Sequence, residues 1–91
     1  MIKRVNLIIL GHVQGVFFRA SAHQQAQRLG LKGFVCNLND GSVNAVAEGN
    51  QQEIEDFIGW CKLGPETARV EKVVVKYEPV TESEIGFSII S

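Results

Sequence analysis

Charge of one sign is what this sequence most plainly lacks. Nine Lys and Arg against ten Asp and Glu leave a formal net charge of −1. No broad field is therefore available to draw in nucleic acid or an anionic membrane. Thiols are scarce too: the two cysteines, Cys36 and Cys61, stand far apart and form no metal-ligand spacing. They read as free thiols in a reducing cytoplasm, with a disulfide between them left open. No apolar run approaches the ~18 residues of a membrane span. Lys3 and Arg4 before an apolar run, with Ala20-Ser21-Ala22 further on, imitate a secretory leader. Asn6, His12, Gln14 and Arg19 interrupt the apolar region such a leader needs. The expectation is a cytoplasmic chain with no membrane and no nucleic-acid partner. Ninety-one residues supply one core, so residues 1–91 are expected to form one domain.

What is present is well patterned. Residues 2–10 read as a strand with Val5, Leu7 and Ile9 on one face. Ile8 and Leu10 are apolar as well, which predicts a central strand. Residues 19–29 read as a helix whose stripe is Phe18, Ala22, Ala26 and Leu29, stopped by Gly30. Two alternating runs, 32–38 and 43–49, flank the turn signal Asn39-Asp40-Gly41-Ser42. A second helix over 51–62 carries Ile54, Phe57, Ile58 and Cys61 at core spacing, and Gly64-Pro65 ends it. Residues 67–78 form another strand, of ambiguous parity because Val73, Val74 and Val75 run together. A short strand over 85–90 closes the chain. The order predicts a ferredoxin-like split βαβ sandwich of α+β class, both helices on one face of an antiparallel sheet. That plan hosts many activities and chooses none.

Between the first strand and first helix lies "GHVQGVFFRA", residues 11–20, an odd composition for a loop, since loops are usually polar. A glycine-bearing turn there can gather backbone N–H groups at the positive end of a helix, a site for phosphate. Gly11 and Gly15 would let the backbone approach a ligand closely. Val16 and Phe18 would pack beneath the loop and hold the amides, and Arg19 would add a planar cationic fork. A tight structural turn with a surface arginine accounts for the same residues. The segment has neither "GxxxxGK[ST]" nor "GxGxxG". Asn37 likewise reads either as a functional amide or as a strand asparagine bonding the nearby turn.

The string "GHVQGVFFR" resembles the acylphosphatase signature, in which a glycine, V-Q-G-V and an aromatic-arginine pair form a phosphate cradle. The resemblance continues through "RLGLKGFVCNLNDGSVNAVAEG", similar to the family's second block, and through "ARVEKV". It implies hydrolysis of the carboxyl–phosphate bond of small-molecule acyl phosphates, giving a carboxylate and inorganic phosphate. The catalytic pair it implies is Arg19 and Asn37. The substrate-binding amides fall on Gln14, Gly15, Val16, Phe17, Phe18 and Arg19, a loop that phosphate or sulfate would occupy. It implies no cofactor, no metal and a monomer. Asn37 would orient the attacking water, whose proton passes to the substrate phosphate. One departure is Cys36, where relatives often carry a basic residue.

Other residues tempt less. His12 sits at a variable position of the signature, and His23 follows the apolar stripe by one residue, so neither is expected as a base. Cys61 completes a core stripe, and Trp60 reads as partly exposed packing. "KGFVCNL" faintly echoes an RNA-binding pattern, but Val35 and Cys36 replace the residues that pattern needs. A further alternative is a domain that binds phosphate esters without turnover.

Overall fold

The computed structural model describes residues 1–90. Alternating burial runs through the first strand, β1 (Ile2–His12), where Val5, Leu7 and Ile9 are fully buried and Ile8 and Leu10 half-buried. The strand runs two residues past its expected end. Helix α1 (Phe18–Arg28) buries Phe18, Ala22 and Ala26 of the predicted stripe, while Leu29, the fourth, caps the helix and packs half-buried at the core's margin. Beyond its last turn the Gly30 N–H donates to the Gln27 carbonyl at 3.0 Å and the Leu31 N–H to that of Ala26 at 2.9 Å. This paired closure satisfies carbonyls the helix end would otherwise leave open.

Strands β2 (Lys32–Asn37) and β3 (Val43–Asn50) pair antiparallel. Asp40 fixes the turn between them, accepting from the Ser42 backbone N–H at 3.0 Å and from the Ser42 hydroxyl. Those bonds, the hydroxyl first, hold the exposed Asp40 carboxyl below its ordinary range. Helix α2 (Gln51–Leu63) buries Ile54, Phe57 and Cys61, and Ile58 packs at the core's margin. Strand β4 (Arg69–Glu78) and the short β5 (Phe87–Ile90) complete the sheet, in the order β4-β1-β3-β2-β5.

Four strands pair antiparallel as the ferredoxin-like plan requires, and β5 joins β2 in parallel, so the full sheet is mixed. The reason is the route of residues 79–86, which carry the chain from the β4 edge to the opposite edge. Buried Glu48 on β3 anchors that crossing. Its carboxylate accepts the Thr81 N–H at 3.0 Å and the Glu82 N–H at 2.9 Å, and pairs with Arg4 at 3.4 Å. Arg4 reaches Glu84 of the same segment at 3.2 Å.

The uncertain parity of β4 has a specific cause. Pairing with β1 shifts between Leu10↔Lys72 and Gly11↔Val70, leaving Glu71 as an extra residue. A bulge of this kind resets which side chains face the core. Val70 and Val73, three apart, both pack on it, while Val74 and Val75 are exposed.

Candidate active site

The loop leaving β1 turns on alternating backbone signs. φ is +73° at Gly15 and +65° at Phe17, while Val16 between them stays on the ordinary side. Such alternation turns successive N–H groups into one concavity. Phe17 caps α1 in the left-handed conformation, without a side-chain cap, and no acid lies in the first turn. For an aromatic residue that conformation costs on the order of 1–2 kcal/mol. The N–H groups of residues 14–20 donate to no acceptor among the described residues, and the first such bond of α1 comes from Ser21 to Phe17. An uncapped helix start with free amides is suited to an anion.

The side chains hold that backbone in place. Val13, Val16 and Phe18 are buried, and Phe18 packs on Trp60 with ring centroids 5.3 Å apart. Gln14 is committed elsewhere than to a ligand: its Nε2 donates to the carbonyls of Leu38 at 2.7 Å and Ser42 at 2.8 Å. The loop is thereby tied to the β2–β3 turn. The Thr67 hydroxyl donates to the Val16 carbonyl from the other side. Sequence reasoning missed Thr67, since nothing local signals a contact with a residue 51 positions away.

Gly11 requires a correction. It lies inside β1, not in the loop, and its neighbour is protein: at φ +133° a Cβ would overlap the Arg69 carbonyl oxygen. It is glycine so that β1 and β4 can approach at the bulge. Gly15, by contrast, has no heavy atom within 4 Å of a Cβ position, so there it is the backbone sign that favours glycine.

Strand parity places Asn37. Val35 and Asn37 are two apart on β2, and Asn37 pairs with Val43, which pairs with Ile9. Asn37 therefore points to the helix-covered face, roughly 10 Å from Ile9 at two strand spacings. The loop begins after His12, three residues further along the strand that carries Ile9, and Gln14 bonds the residue following Asn37. Asn37 Oδ1 is buried without a hydrogen-bond partner. Such an atom costs about 1–3 kcal/mol unless something fills its lone pairs. Arg19, half-buried on the first turn of α1, belongs to the same end of this face. All three ion pairs among the described residues belong to Arg4, so the Arg19 guanidinium is free for a ligand.

A cavity of about 340 Å³ opens beside Arg19, lined by Gly15, Phe17, Phe18, Arg19, Ala20 and Ile89. His12 is exposed at the end of β1, paired with Arg69 in the sheet. His23 packs on Phe87 at 6.1 Å. Neither lines the cavity. Among the described residues no three His, Cys, Asp or Glu side chains converge, and no helix is long and apolar enough to cross a membrane. Both cysteines are free. Cys61 lies in the core, where burial pushes its thiol far up. Cys36, although next to Asn37, points to the opposite face of the sheet, opposite Asn44.

Comparison with known proteins agrees with this architecture. The acylphosphatase family model matches residues 5–89. The chain belongs to the acylphosphatase family. It is 49% identical over 87 residues to an acylphosphatase of Roseiflexus sp. (strain RS-1), covering 96% of this chain and 94% of the relative. The crystal structure of acylphosphatase from Bacillus subtilis superposes with a TM-score of 0.94 at 32% identity, covering all of both chains. That of an acylphosphatase from Coxiella burnetii gives 0.91 at 35%, covering 98% of this chain and 93% of the other. Membership in the acylphosphatase family accounts for the mixed five-stranded sheet as well as the two signature blocks.

Proposed function

We propose that this chain, acting as one domain over residues 1–91, hydrolyses the carboxyl–phosphate bond of small acyl phosphates. The products are a carboxylate and inorganic phosphate. The observation that carries this reading is the buried, unpartnered Oδ1 of Asn37, on the sheet face and at the end where the free amides of residues 14–20 gather.

The division of labour follows from the chemistry. Phosphoryl transfer has a loose transition state, with charge spread over the equatorial oxygens. Amides of Gln14 to Arg19 and the Arg19 guanidinium bind those oxygens, and their fixed geometry favours the charge as it develops. Asn37 Oδ1 accepts a hydrogen bond from the attacking water and turns its lone pair toward phosphorus. A carboxylate leaves without prior protonation, so no general acid is required. The water's proton ends on a phosphate oxygen.

The test is hydrolysis of acetyl phosphate, following acetate and inorganic phosphate together, with and without EDTA. Equimolar release that survives exhaustive chelation is expected. Absence of release would overturn the reading. Loss in EDTA, restored by a divalent ion, would overturn this division of labour.

A further inference from the structure

We propose that Asp40, exposed in the β2–β3 turn, is a positioning residue for hydrolysis, holding Asn37 and the loop before α1 in one register. This rests on the acylphosphatase reading above and adds to it a residue outside the cavity. Asp40 acts at a distance, by fixing the two carbonyls from which the loop is hung.

The chain of bonds is short. Asp40 Oδ1 accepts both the Ser42 N–H, at 3.0 Å, and the Ser42 hydroxyl. A carboxylate that takes the N–H two residues on sets the shape of the turn. Ser42, only 2% exposed, is thereby fixed in backbone and side chain together. Its carbonyl accepts the Leu38 N–H at 2.9 Å, and the Leu38 carbonyl accepts the Gly41 N–H at 3.2 Å. Each carbonyl keeps a second lone pair. Gln14 Nε2 fills the two, at 2.7 Å to Leu38 and 2.8 Å to Ser42. One amide group reaches both only while the turn holds them on the same side. Leu38 follows Asn37 in the chain, and Gln14 opens the segment of free amides. A loosened turn therefore changes the distance between the acceptor of the water and the donors to phosphate. Reacting groups misplaced by about 1 Å can lose about a hundredfold in rate.

The experiment measures kcat for acetyl phosphate, inhibition by inorganic phosphate and the urea midpoint. The proteins are wild type, Asp40→Ala, Asp40→Asn, Gln14→Ala and the double variant Asp40→Ala/Gln14→Ala. Asp40→Ala is expected to lower kcat at least about tenfold. Phosphate inhibition should stay within about threefold, because the loop amides that bind the anion are untouched. Asp40→Asn should recover most of the activity, since both bonds go to one oxygen and an amide oxygen can accept them. In the Gln14→Ala background, Asp40→Ala should cost less than about twofold, because residues acting through one contact are not additive. An Asp40→Asn variant as slow as alanine, or equal losses with and without Gln14, would overturn the positioning role while leaving acylphosphatase activity standing. So would a lower urea midpoint with kcat unchanged, which would make Asp40 a stabiliser of the turn alone. Absence of hydrolysis in the wild type would overturn the catalytic reading, and this inference with it.

Discussion

Removing the Asn37 carboxamide while leaving the loop intact separates water positioning from phosphate binding. Asn37→Ala is expected to lower kcat about a hundredfold or more, the order found on removing one positioned donor. Inhibition by inorganic phosphate should change little, because the amides of residues 14–20 are untouched. Parallel loss of turnover and phosphate inhibition would make Asn37 a phosphate ligand instead. Arg19→Lys poses the complementary question of shape against charge. Lysine keeps the charge but replaces a planar two-pronged donor with a point contact. Turnover should fall about a hundredfold, while stability in urea stays within about 0.5 kcal/mol of wild type. A lysine variant near wild type would refute bidentate recognition.

At the scale of the element, Gly11 is the position to disturb. Its Cβ would penetrate the Arg69 carbonyl in the adjoining strand, and strand backbones have no rotamer with which to yield. Gly11→Ala is expected to destabilise the protein by about 2 kcal/mol or more, read as a fall in urea midpoint. An unchanged midpoint would show that the bulge relaxes freely. This residue also marks a limit of legibility. β1, both helices and the hairpin are readable from periodicity and turn residues, because burial imposes a period on each. The parity of β4 is not, since the bulge at Glu71 shifts the period midway. Gly11, as part of a glycine-rich string, points to a ligand, whereas its cause is a neighbouring strand. Arg19 and Asn37 are legible through the family's motifs, but residue chemistry alone leaves Asn37 open. The Gln14 tether, the Thr67 contact and the wall at Ile89 arise from segments far apart in sequence, and no local pattern encodes them.

For the molecule as a whole, the crossing segment 79–86 depends on one buried carboxylate. Burial opposes the ionisation of Glu48, but the Thr81 and Glu82 N–H groups and Arg4 outweigh it, so its carboxyl ionises below the ordinary value of 4.5. A depressed carboxylate contributes stability above its unfolded pKa and loses it as pH falls through the folded value. Stability should therefore decline as the pH falls below about 4.5 toward the lower folded value, and Glu48→Gln should flatten that decline while lowering stability at neutral pH by about 1–3 kcal/mol. Equal pH slopes for the two proteins would assign the acid sensitivity elsewhere. The tethers of the loop between β1 and α1 have a different consequence, one of timing. Gln14 bonds residues 24 and 28 positions away, and Thr67 reaches Val16 across 51. Closing such long intervals is slow compared with forming a helix or a hairpin. Collapsed chains with both helices formed would still lack a tethered loop. In refolding, recovery of hydrolysis should therefore trail recovery of helical circular dichroism, making catalysis a clock for the final closure of the sheet.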